Sequence, residues 1–265
     1  MKFIDWFAGI GLATAALAQA SPTAKGPVDQ LIPWLLDEDQ QLRGVPFREL
    51  IFDATGRKVL PFEANNAVDQ RVAKAISAAC DETMKRLNAP DSEIQNIDRI
   101  NEVSSHFEDS LRELLNAAPG LQCDFPHTAE GKLQRSGYPD LRITDLESKR
   151  VFYLDPKLYA TGSRHSSFRT FYFEPKKSTN KVRDDAVHFV AGFEHAPSVA
   201  ASLRRGDADG SDSTATQRRG YNARWKFTRW DLVDLSRFTV KLKAEFQGSN
   251  RDIYRPEAIV ASSAK

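Results

Sequence analysis

Hydrophobic and polar positions fall into two regimes along the chain. In the N-terminal half, apolar residues recur at three- and four-residue steps. Val72, Ala75, Ile76, Ala79 and Met84 line one side of the segment Val68 to Leu87, which predicts a helix stopped at Asn88-Ala89-Pro90. Ile100, Val103, Phe107, Leu111, Leu114 and Leu115 make the stripe of a second helix over 97–118, closed by Pro119-Gly120. Before these, Leu31 to Leu60 mixes Trp34, Leu35, Val45, Phe47, Ile51 and Phe52, and predicts a short helix and a short strand. After Gly120 the period changes. Leu141 to Thr144, Val151 to Leu154, Arg169 to Phe173 and Ala186 to Phe193 are short runs rich in aromatic and β-branched residues, and read as strands. Leu232 to Phe246, with Leu235, Phe238, Leu242 and Phe246 on one side, predicts a closing helix. Helices, then strands, then a helix suit an α/β sandwich around a mixed sheet.

The first twenty residues, MKFIDWFAGIGLATAALAQA, set Lys2 before an apolar stretch that ends in Ala18-Gln19-Ala20. That pattern predicts a secretory signal peptide, with a periplasmic or secreted mature protein and no membrane span in it. Asp5 inside the apolar stretch argues the other way and keeps a cytoplasmic location open. Within the same stretch Phe7-Ala8-Gly9-Ile10-Gly11 resembles the glycine-rich cofactor loop of DNA cytosine methyltransferases. The chain has no Pro-Cys dipeptide, the nucleophile that resemblance requires, so it is not pursued. The expected organisation is residues 1–20 as leader, 21–96 as a mixed N-terminal region, and 97–265 as the functional core. The two cysteines, Cys80 and Cys123, form no metal-binding cluster; in an exported chain they are candidates for pairing.

A net charge of +1 says little about partners, but its distribution says more. Arg204, Arg205, Arg218, Arg219, Arg224, Lys226 and Arg229 crowd one segment with Trp225 and Trp230 interleaved. Basic residues with aromatics suit a nucleic-acid backbone. Arg164, Ser166, Ser167 and Arg169 form a second donor-rich stretch able to hold phosphates.

The candidate chemistry sits on the first two strands. Pro139-Asp140 heads one, and Asp155-Pro156-Lys157 ends the next, with a short polar turn between them. A hairpin would bring Asp140 beside Asp155. Strand alternation sets Asp155 and Lys157 on one face. Two carboxylates and an ammonium fit a hard divalent cation and phosphodiester hydrolysis. Pro139-Asp140 followed by Asp155-Pro156-Lys157 resembles the PD-(D/E)xK nuclease superfamily, which includes many restriction endonucleases. The resemblance implies a restriction-endonuclease-like α/β fold, a mixed β-sheet flanked by helices. It also implies a DNA endonuclease that uses Mg²⁺, with Mn²⁺ as a substitute, on double-stranded DNA, with a homodimer as one arrangement. In that reading Asp140, Asp155 and a third acid on the entry helix hold the metal, and Lys157 assists the nucleophile. Glu108, beside the buried stripe at Phe107, is the preferred third acid and Glu102 the alternative. Glu174 and Lys176, in Glu174-Pro175-Lys176 after a later aromatic run, are the rival acid and lysine. A binding protein that keeps the fold without cleaving, and an exported interaction protein, remain alternatives.

Overall fold

The computed structural model describes residues 26–36, 43–167, 171–196, 225–243, 249 and 255. Residues 1–20, which carry the leader reading, lie outside them. Helix α1 (Pro27–Leu36) belongs to one compact unit, and residues Gly44–Lys241 form a second that holds every described strand.

Four-residue spacing of apolar side chains dictates the main helix of the second unit. In α4 (Ile100–Ala117) Val103, Phe107, Leu111 and Leu115 are wholly buried. The helix stops where Pro119 removes a donor and Gly120 takes φ +76°. Helix α3 (Ala67–Leu87) starts at Asn66, whose side chain accepts from the amides of Val68 at 2.9 Å and Asp69 at 3.2 Å. Both helices bury their apolar stripes in one core with Phe152, Leu154, Phe189, Ala191 and Phe193 of the sheet. The boundary expected between residues 96 and 97 therefore has α3 and α4 on either side of it sharing one core.

The sheet is mixed and has six strands, in the order β2-β6-β5-β4-β3, with β7 also paired to β6. These are β2 (Val59–Leu60), β3 (Leu121–Asp124), β4 (Leu141–Asp145), β5 (Val151–Ala160), β6 (Ala186–Ala196) and β7 (Lys226–Asp234). Strands β3, β4 and β5 run antiparallel in turn, while β5 and β6 are parallel. The β4–β5 hairpin follows the expectation. Asp145 sets its turn by accepting from the Ser148 amide at 2.9 Å and the Ser148 hydroxyl at 2.6 Å. On the sheet face opposite α3 and α4, helix α2 (Phe47–Thr55) adds Phe47 and Ile51 to a second core with Val151, Tyr153, Tyr138 and Val182. A separate two-stranded ribbon pairs β1 (Val45–Pro46) with β8 (Thr239–Val240).

Two expectations are corrected. Leu232 to Asp234 end strand β7, and Leu235–Arg237 form one 3₁₀ turn, so the closing helix is absent among the described residues; residues 244–246 lie outside them. The three-residue step from Leu235 to Phe238 fits a 3₁₀ turn as well as a helix, and β6 offers a free edge that β7 fills. Phe171 to Phe173 form no strand, and residues 169 and 170 lie outside the described set. Phe171 and Phe173 instead pack edge-on against Phe47 and Tyr138. Their aromatic content serves packing, not strand pairing.

Candidate active site

Strand β4 pairs with β5 only as far as Leu141 opposite Leu154. Asp140 stands one residue before that last pair and Asp155 one residue after it, so the hairpin brings the two acids together where the strands part. From Asp155 onward β5 keeps only its β6 neighbour, in unbroken register through Pro156 opposite Ala191. A strand paired on one side tolerates a proline. Pro156 therefore does not turn Lys157 aside, and Asp155 and Lys157 share a face with Tyr153.

Lys157 is the hub. Its Nζ lies 2.6 Å from Asp155 Oδ2 and donates to Asp140 Oδ2 at 3.3 Å. Asp155 is 1% exposed; the Lys157 ammonium meets its Oδ2, and its Oδ1 has no hydrogen-bond partner among the described residues. Burial and the charge of Asp140 push the Asp155 carboxyl well above the usual carboxylate range. Burial disfavours the Lys157 ammonium, yet the two carboxylates outweigh it and hold the lysine above its ordinary value.

Glu108 belongs to the same electrostatic cluster. Burial and the charge of Asp140 raise its carboxyl, against the opposing pull of Arg135. Its Oε2 accepts from Arg135 Nη2 at 3.0 Å. Glu102 is exposed on the first turn of α4. Glu174 and Lys176 are exposed and pair with each other at 2.9 Å.

A buried carboxylate with an oxygen left without a hydrogen-bond partner, beside a second carboxylate, presents hard anionic oxygens to a cation. Among the described residues no three His, Cys, Asp or Glu side chains form a ready cage. Mg²⁺ does not need one, because it takes one or two carboxylates and keeps waters and substrate oxygens. The residues fit that ion.

Further polar side chains lie around the cluster, and of these Lys181 escaped the sequence pattern. Lys181 is 1% exposed, and burial lowers its ammonium although Asp140, Asp155 and Glu108 pull the other way. Tyr138, two residues before Asp140, shares a 2.5 Å hydrogen bond with His188 Nδ1. His188 is wholly buried, and burial pushes it down to about 3, so it is neutral. A cleft of about 210 Å³ lies alongside, lined by Gln134, Tyr138, Tyr172, Lys176 and Lys181.

Of the expected phosphate-binding residues, Arg164, Ser166 and Ser167 are exposed on the turn after β5, and Arg164 donates to Asp231 at 3.2 Å. Lys226 is exposed on β7. Arg169, Arg204, Arg205, Arg218, Arg219 and Arg224 lie outside the described residues. Cys80 and Cys123 are buried free thiols, both pushed up to about 12 by burial, so the candidate pairing is not formed. No described helix is long and apolar enough to cross a membrane.

A family model described as the type II restriction enzyme MjaV family matches residues 40–257. The chain belongs to the MjaV family of type II restriction enzymes. It is 27% identical over 231 residues to the type II restriction enzyme MjaV of Methanocaldococcus jannaschii, covering 83% of this chain and 90% of that protein. No solved structure matches it. The family match takes in α2 to α4 and every described strand, so the Asp140–Asp155–Lys157 cluster lies inside the MjaV-family region.

Proposed function

We propose that this MjaV-family chain is a Mg²⁺-dependent endonuclease that hydrolyses phosphodiester bonds of double-stranded DNA, on a restriction-endonuclease-like fold. The observation that carries the reading is the meeting of Asp140, Asp155 and Lys157 at the parting of β4 and β5. Asp140 and Asp155 would hold the metal, with Glu108 completing the acid set. When bound, the metal supplies Lewis-acid polarisation of the phosphate and acidifies a bound water. The chain's own residues do the rest. Burial keeps Asp155 dry, so its charge acts in a medium of low polarisability. The Lys157 ammonium, held between the carboxylates, stabilises negative charge developing on the phosphate. Arg164, Ser166, Ser167 and Lys226 are exposed donors that would position the backbone.

The test is cleavage of plasmid and phage DNA by the full chain in Mg²⁺, in Mn²⁺ and in EDTA. The reading expects discrete fragments with either metal and intact DNA in EDTA. Binding without cutting in any metal would replace it with a DNA-binding role. Neither binding nor cutting, across DNAs of diverse sequence, would remove it.

A further inference from the structure

Lysine is almost never fully buried unless paired, because an ammonium loses its hydration there. Lys181 is 1% exposed, and its hydrogen bonds go to main-chain oxygens: Nζ donates to the carbonyls of Gln134 at 3.2 Å and Arg135 at 3.3 Å. Those carbonyls lie in the irregular stretch 134–139 that leads from the β3–β4 connection to Asp140. The Arg135 side chain leaves the same point and grips helix α4 in three places. Nη2 donates to Glu108 Oε2 at 3.0 Å and to the Ser105 carbonyl at 3.2 Å, and Nη1 donates to Asp109 at 3.1 Å. The guanidinium also lies 4.4 Å from the Phe125 ring centre. One buried ammonium thus pins the main chain from which Glu108 is held, five residues before Asp140.

We propose that Lys181 is a positioning residue of the cleavage site, fixing the Gln134-Arg135 main chain and, through Arg135, the carboxylate of Glu108. The inference rests on reading the Asp140–Asp155–Lys157 cluster as that site. The charges of Asp140 and Glu108 reach the Lys181 ammonium, but its hydrogen bonds go to the Gln134 and Arg135 carbonyls, so its hold on the position of Glu108 passes through Arg135. A lysine that merely filled space would act independently of that arginine.

The experiment is a double-mutant cycle in the full chain with Lys181→Met, Arg135→Ala and both together. It is read by metal-free thermal unfolding and by single-turnover cleavage at saturating DNA. Lys181→Met is expected to slow cleavage about tenfold through misplacement of the acid, with DNA affinity in EDTA unchanged within about twofold. In the Arg135→Ala background the same substitution is expected to change the rate and the unfolding midpoint little, because coupled residues are non-additive. Lys181→Gln keeps a donor for the carbonyls and is expected to restore most of the rate. It also replaces Lys181→Met in the cycle if that variant does not fold. Multiplying rate losses, additive shifts in midpoint, or a Lys181→Met enzyme as fast as wild type would each overturn the proposal. If the wild type cuts no DNA, the functional reading fails separately, and the unfolding cycle still decides whether Lys181 acts through Arg135.

Discussion

Replacing Asp155 with Asn should stabilise the metal-free protein. The carboxylate is 1% exposed, its Oδ1 has no hydrogen-bond partner among the described residues, and the Lys157 ammonium at its Oδ2 is shared with Asp140. A buried polar group left unsatisfied costs about 1–3 kcal/mol, and more when charged. The ion pair offsets part of that cost, and the Asn variant keeps Lys157 paired to Asp140. The net gain expected is about 1–2 kcal/mol, which for a unit of this size raises the unfolding midpoint by about 2–8 °C. The pH dependence has a definite sign. Burial and the charge of Asp140 raise the folded-state pKa of Asp155, so folding is penalised whenever the group must be ionised. That penalty is complete above the folded-state value, shrinks as pH falls, and is gone below the unfolded carboxyl's value near ~4. The advantage of Asp155→Asn should therefore be largest in alkaline buffer and vanish in acid. Saturating Mg²⁺ should reverse the order, because a ligand at 100 times its Kd adds about 2.7 kcal/mol to the form that binds it. Urea and thermal unfolding in EDTA and in Mg²⁺, across pH, measure all three effects. An Asn variant less stable than wild type by more than about 1 kcal/mol in EDTA would make Asp155 a structural ion-pair partner and refute the reasoning.

Lys157→Met leaves two carboxylates facing each other without their shared cation. Removing one member of a buried ion pair costs about 3–5 kcal/mol, so urea unfolding should show a loss near the lower figure, given that the side chain is 25% exposed. A loss below about 1 kcal/mol would mean that solvent already screens the cluster. His188 stays neutral in the folded protein down to about 3, whereas its unfolded value is 6.5. The unfolded chain therefore takes up a proton first as pH falls, and wild type should lose about 2 kcal/mol by pH ~5 on this account alone. His188→Phe should flatten that part of the stability curve; an unchanged slope would contradict a neutral buried histidine.

Much of this arrangement was legible in the sequence because it rests on local periodicity. Val103, Phe107, Leu111 and Leu115 repeat at the helical step and are buried as a stripe. Val151 to Leu154, with its polar turn, is a hairpin strand, and the alternation that sets Asp155 beside Lys157 is a property of any extended chain. What escaped depends on distant pairing. Strand β7 forms because β6 has a free edge, which no window around Leu232 reveals. Phe171 and Phe173 carry strand-like residue types but are recruited into the aromatic cluster around Phe47. Lys181 lies in a polar stretch that reads as solvated, and its burial follows from carbonyls some forty-six residues earlier in the chain. His188, set between Val187 and Phe189 in β6, is buried against Tyr138.

The central claim, that Asp155 serves cleavage and not the fold, is tested most directly by comparing binding and cutting of one DNA that the wild type cleaves. Asp155→Asn should bind that DNA about as tightly as wild type and cut it at least ~10³-fold more slowly in Mg²⁺, since oriented charge at a reacting phosphate accounts for several kcal/mol of barrier. Cutting within about tenfold of wild type, or wild-type cutting that persists in EDTA, would contradict the account.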